Sequence, residues 1–196
     1  EEMISVNDDE PVYSNLGIFS IFIFPALGGL LFGYDIGATS YIISQLQDED
    51  AAGTTWYKNV EHSALLQGTI TSSSVGGAFL GSVIVFKVAD KIGRRREMQL
   101  AAVLYAVGAI VEYISGASSY NPTTGIVILL IGRLIYGLAC GFAMHGAPSY
   151  IAEMSPSHVR GTLVSLKEAM IVVGMLLGYL IGWAWLEQKG MWRYTY

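Results

Sequence analysis

Gly28 to Gly37 reads GGLLFGYDIG, and the acid inside it decides how the chain must fold. Asp35 is the only charged residue between Leu16 and Leu46, in a run otherwise apolar enough to sit in lipid. A carboxylate near the middle of a bilayer costs roughly 2.5 to 3.5 kcal/mol on insertion scales, so it marks a function and requires a partner. The run itself, about Asn15 to Gln45, is longer than the roughly 20 residues a span requires. With Pro25 and Gly28, Gly29, Gly33 and Gly37 inside it, it predicts a long helix that is broken or tilted.

Outside that stretch the composition points the same way. Of 196 residues, 53% are hydrophobic and only 14% charged, 23 are glycine, and the mean hydropathy is +0.47. Such a chain is an all-α polytopic membrane protein. Residues 1–14 read as a polar, acidic tail. Four further spans follow: about Ala64 to Ala89, Met98 to Ser118, Thr124 to Gly146, and a fifth opened by Ser155 as N-cap with Pro156 at the first helical position and ending about Leu186. Residues 15–186 thus hold five transmembrane helices. Gln47 to His62 is a polar loop, Pro148 and Pro156 bracket the last connection, and residues 187–196 form a loop and the start of a sixth span that the sequence does not contain.

Basic residues give the orientation. The connection after span 2 holds Lys87, Lys91, Arg94, Arg95 and Arg96, and that after span 4 holds Arg160, whereas the loops after spans 1 and 3 hold only Lys58. The N-terminus is therefore expected in the cytoplasm. Small residues four apart mark close helix contacts in lipid: Gly29, Gly33 and Gly37; Ser73, Gly77 and Gly81; Gly137 and Gly141; Gly174, Gly178 and Gly182. Span 3 lacks such a stripe, which predicts a peripheral helix.

Arg133 in span 4 is the expected partner of Asp35. It lies nine residues after Thr124, about 14 Å deep, and Asp35 lies ten residues before Gln45, about 15 Å from the same face. A carboxylate beside a guanidinium ionises readily, and an arriving proton must compete with the pairing, so the two form either a proton switch or a static bond between helices. Glu112 in span 3, about 9 Å from that face, is a rival for Arg133. Glu168 and Met175, seven apart, share a face of span 5, where Glu168 either accepts hydrogen bonds from a hydroxylated solute or pairs with a loop arginine, while Lys167 points elsewhere and snorkels. In Ala89 to Glu97, ADKIGRRRE, Asp90, Gly93, Arg94 and Arg95 make either a latch with Glu153 and Arg160 or simple positive-inside topology.

Other chemistry finds little support. His62, His145 and His158 do not cluster, no phosphate-binding glycine loop occurs, no basic patch invites nucleic acid, and no metal site or cofactor is indicated. The single cysteine, Cys140, permits no intrachain disulfide and reads as a small core residue.

GGLLFGYDIG, ADKIGRRRE, IGRLIYGLACG, PSYIAEMSPSHVRG and LVSLKEAMIVVGMLLGYLIG, in this order, resemble the sugar porter family of the major facilitator superfamily. The resemblance implies two six-helix halves built of inverted three-helix repeats, with this chain supplying five helices of the N-terminal half and the C-terminal half missing. It implies a proton-coupled monosaccharide transporter acting by alternating access, not an enzyme, with protons as the coupling ion. Asp35 is then the protonatable acid and Arg133 its partner. Phe32 lies on the cavity side with Glu168 and Met175 on the sugar, and Asp90, Gly93, Arg94, Arg95, Glu153 and Arg160 form the cytoplasmic network that locks the outward-open state. Two departures stand out: Glu168 and Met175 replace the glutamines of many relatives, and Phe86 replaces a glycine, which puts the tightness of span 2 packing in question. A facilitative uniporter and a non-transporting sugar sensor are the alternatives on the same scaffold.

Overall fold

The structure, a computed structural model, describes residues 15–54, 56–117, 121–185 and 188–195; the acidic tail of residues 1–14 lies outside them. Among the described residues, eight helices run in chain order: α1 (Asn15–Gln47), α2 (Glu49–Ala52), α3 (Tyr57–Glu61), α4 (Ala64–Ile92), α5 (Arg94–Ser115), α6 (Pro122–Met154), α7 (Ser157–Ala184) and α8 (Trp192–Thr195). Five of them, α1 and α4 to α7, are long and apolar enough to cross a membrane.

Several boundaries differ from the sequence reading, each for a local reason. α1 is a single helix that continues through Pro25 rather than breaking there, because in lipid no water competes for the remaining backbone bonds. The basic connection after α4 is one residue, Gly93, whose φ of +78° lets it end α4 and begin α5 at once. The three arginines therefore sit on the first turn of α5, not in a loop. Pro148 lies inside α6, which continues to Met154; Ser155 ends that helix and Pro156, not Ser155, is the N-cap of α7. The stretch after α1, expected as plain loop, holds α2 and α3. Asp48 caps α2 by accepting from the Asp50 amide at 2.9 Å.

α6 is the hub of the bundle, packed against α4, α5 and α1, while α7 packs along α1. Two of these contacts, α4 with α6 and α1 with α7, follow the small-residue stripes. A Cβ placed on Gly141 would stand 2.6 Å from the Ala78 carbonyl oxygen, one on Gly81 2.6 Å from that of Leu138, and one on Gly178 2.7 Å from the Ala38 amide. Only glycine permits backbones this close. On α4 the residue in line with Gly77 and Gly81 is Ser74, which is buried, rather than Ser73. Phe86 does not loosen this interface: its side chain is 74% exposed and meets the His145 ring edge-on from outside, with centroids 5.3 Å apart.

The expectation for span 3 requires correction. α5 packs along the length of α6 through Glu97, Ala101, Tyr105, Gly108, Glu112 and Ser115. These buried positions step by four or three residues, a heptad-like seam that needs no glycine every fourth position. Gly108 faces the Tyr136 backbone, and Gly132 on α6 receives the Glu112 side chain.

At the end of the bundle away from Gly93, the chain after α7 folds back over α1. The Gln45 amide nitrogen donates to the carbonyls of Trp185 at 3.1 Å and Gln188 at 3.0 Å, and its oxygen accepts from the Trp192 amide at 3.0 Å. Trp56 and Trp192, both buried, meet edge to face. α8 then lies between α1 and α5: the Tyr34 hydroxyl donates to the Thr195 carbonyl at 2.8 Å, and Tyr194 meets Tyr113 edge to face.

Candidate functional site

Asp35 sits on α1 at the crossing with α4 and α6, 5% exposed. Its carboxylate is held from both helices. Arg133 Nη1 of α6 donates to Oδ1 in a close ion pair, and the Ser74 hydroxyl of α4 donates to Oδ2 at 2.8 Å. Arg133 is itself 1% exposed, and its Nη2 donates at 2.7 Å to Oγ1 of Thr39, one turn beyond Asp35 on α1. Thr39 in turn donates to the Asp35 carbonyl oxygen at 2.7 Å. Charge-assisted bonds of this kind are about twice as strong as neutral ones, and in a low-dielectric interior each is worth more than at a surface.

The depth estimate from sequence thus brought the right two residues together. It missed Thr39 and Ser74. Thr39 carries a legible signal, the i, i+4 spacing from Asp35 on one helix face. Ser74 carries none, since nothing in the sequence says which serine of TSSS faces α1.

Glu112, the rival, is buried in the same region. It is 0% exposed, lies over Gly132, and neither of its carboxyl oxygens has a hydrogen-bond partner among the described residues. Absence of a small-residue stripe on α5 therefore did not keep it out of the core. Behind the pair, Tyr136 donates to the Leu31 carbonyl at 3.1 Å, and Tyr105 to Cys140 Sγ at 3.4 Å. Cys140 is a buried core residue, as its surroundings in sequence indicated.

Phe32 is half-buried against the cluster formed by α4, α5 and α6. Glu168 and Met175 stand on α7, Glu168 with its side chain 59% exposed and Met175 half-buried. The partner of Glu168 is neither a loop arginine nor solvent alone. Lys167 Nζ lies 2.6 Å from its Oε1. Lys167 does not snorkel: it is 2% exposed and packs against Gly29 of α1, so a buried ammonium holds the exposed carboxylate in place.

At the Gly93 end, Arg94 is the organising cation. Its Nε donates to Glu153 Oε1 on α6 at 3.0 Å, and its terminal nitrogens approach Asp90 at 3.5 Å and Glu97 at 3.8 Å. Arg160 donates to the Ser155 carbonyl at 3.3 Å and so closes the end of α6 rather than meeting Glu153. Arg95 is exposed and reaches the mouth of a groove between α1 and α5. Sequence reasoning missed the buried member of this group, Glu97, whose Oε1 lies 2.7 Å from His145 Nδ1. Placing GRRRE in a loop hid the i, i+3 relation of Arg94 and Glu97.

A family model for sugar and other transporters matches residues 21–196. The D-xylose-proton symporter-like 3, chloroplastic, of Arabidopsis thaliana is 53% identical over 175 residues, 89% of this chain and 29% of its own length. D-xylose-proton symporter-like 1 of the same plant is 47% identical over 196 residues, all of this chain and 37% of its own. The chain therefore spans about a third of the length of these curated relatives. Among solved structures, the proton:xylose symporter XylE bound to 6-bromo-6-deoxy-D-glucose superposes with a TM-score of 0.76 at 31% identity, covering 93% of this chain and 42% of that one. The inward-open form of XylE from E. coli gives 0.74 at 31% identity, covering 91% and 44%.

Proposed function

The chain belongs to the family of sugar and other transporters, and from that membership we propose that the full-length protein carries a monosaccharide together with a proton across a membrane by alternating access. The observation that carries this reading is the buried Asp35–Arg133 pair with its Ser74 and Thr39 partners. A proton reaching Asp35 removes the charge that holds Arg133, so α1 and α6, which the pair joins, gain freedom to move with respect to each other. Sugar binding then favours closure over the substrate, and the proton leaves when the site opens to the other side.

Glu168 and Met175 on α7, with Phe32 on α1, are proposed to line the sugar path. The Lys167 ammonium sets the Glu168 carboxylate for hydrogen bonds from sugar hydroxyls. Arg94, bonded to Glu153 and close to Asp90, is proposed as the cytoplasmic latch, with Gly93 allowing the sharp reversal, Arg95 beside it and Arg160 closing the end of α6. The N-terminus is proposed to lie in the cytoplasm, on the side of these basic residues. A groove of about 570 Å³ between α1 and α5, floored by Ala143 of α6, is proposed to seat a sixth helix continuing from α8, which already enters between those two helices. Protons are the coupling ion and no other cofactor is proposed.

Uptake by the full-length protein in proteoliposomes, measured with labelled pentoses and hexoses alongside external pH, tests the reading. Accumulation that rises with an inward proton gradient, with sugar addition alkalinising the medium, is the expected result. Equilibration without pH change would assign a uniporter, and binding without flux a sensor.

A further inference from the structure

We propose that Glu112 is a second carboxyl of the Arg133 switch, the group to which the guanidinium passes when Asp35 takes up a proton. The inference rests on the coupling role given to Asp35 above. Glu112 is fully buried, its side chain lies on Gly132, the neighbour of Arg133, and both oxygens lack a hydrogen-bond partner among the described residues. The titratable groups facing it are Arg133, Tyr136 and Cys140 of α6 and Asp35 of α1. α4 and α8 meet α5 only toward its ends, where Asp90 pairs with Arg94, and Arg193 and Tyr194 sit beside Gly116 and Tyr113.

A buried carboxylate with no donor is very costly, whereas a buried carboxyl that keeps its proton costs far less. With the Glu112 proton in place, Asp35 ionised and Arg133 charged, the pocket is neutral. Protonation of Asp35 forms an O–H bond there and would leave Arg133 without an anion. Glu112 meets that need by releasing its proton and accepting the guanidinium. One proton enters at Asp35 from one side, and the Glu112 proton leaves to water on the other side as Arg133 moves over. On the return the Asp35 proton passes to Glu112, so one proton crosses per cycle. Both resting arrangements are neutral, which a low-dielectric interior strongly favours over any arrangement of net charge. The unpartnered acid is thereby the waiting position of the switch.

Infrared difference spectra of the full-length transporter in lipid at neutral pH read the proton directly. Wild type should show a protonated-carboxyl band that Asp35→Asn lacks, because a neutral residue at 35 drives Glu112 to ionise beside Arg133. Persistence of that band in Asp35→Asn would overturn the proposal. In uptake, Glu112→Gln should reduce proton-driven accumulation at least about tenfold, since Arg133 then has no second anion, and Glu112→Asp should recover part of it. Glu112→Gln within twofold of wild type, in a protein that Asp35→Asn inactivates, would sink the role of Glu112 alone. Wild-type accumulation by Asp35→Asn would sink the coupling role of Asp35 beneath it.

Discussion

Replacing Asp35 and Arg133 singly and together in the full-length transporter should show that these two charges belong to one buried unit. Arg133→Leu leaves the Asp35 carboxylate, 5% exposed, with the Ser74 hydroxyl as its remaining side-chain donor. Removing one member of a buried pair costs about 3–5 kcal/mol, because the other charge stays behind uncompensated. Asp35→Leu strands Arg133 in the same way, except that Glu112, the second carboxyl proposed above, takes the guanidinium, so the expected loss is the smaller of the two. The double replacement Asp35→Leu/Arg133→Leu removes both charges. Thr39 keeps its bond to the backbone carbonyl of position 35, and Ser74 can turn to a carbonyl of its own helix, which leaves a cost of about 1–2 kcal/mol. Reversible unfolding in lipid bicelles measures all three. The double variant should be more stable than Arg133→Leu by about 1–4 kcal/mol. A double variant destabilised by the sum of the single losses would mean that the side chains do not share an environment, and would refute the buried pair.

Other outcomes follow from the same geometry. Gly141→Ala places a Cβ 2.6 Å from the Ala78 carbonyl oxygen and 2.7 Å from the Ser82 amide, both backbone; α4 and α6 must separate, lowering stability by about 1–3 kcal/mol in the same unfolding assay. Arg94→Gln should open the cytoplasmic side more than Glu153→Gln, because it also leaves buried Glu97 with His145 alone, whereas Glu153 is a half-exposed partner worth at most about 1 kcal/mol. Labelling rates of a cysteine introduced at the cytoplasmic mouth compare the two, and equal rates would contradict the ranking. Glu168→Gln should alter the order in which pentoses and hexoses compete for uptake; an unaltered competition profile would remove Glu168 from the sugar path.

Much of the scaffold was legible in the sequence because lipid leaves few choices. Five apolar runs of spanning length had to be helices, and glycines four apart had to mark where α1 meets α7 and α4 meets α6. Asp35 and Arg133 were legible because two charges at matching depth in such runs must find each other. Lys167 was misread for the complementary reason. Its neighbour in sequence, Glu168, is its partner in space, and the small Gly29 opposite lets the lysine stem pack inward instead of reaching for the interface. The α5–α6 seam escaped notice because it is built from Tyr105, Glu112 and single glycines rather than a uniform stripe. The Glu97–His145 contact depended on α5 starting at Arg94, a boundary set by one glycine in a left-handed conformation.

The central claim is that the proton enters on Asp35, and accumulation against a gradient reads it most directly. Full-length wild type and Asp35→Asn, in matched amounts in vesicles, are given an inward proton gradient and a labelled sugar that wild type transports. Wild type should concentrate the sugar inside above the external level, and Asp35→Asn should never exceed it. Asp35→Asn vesicles that concentrate the sugar as wild type does would show that the buried pair is only a brace between helices.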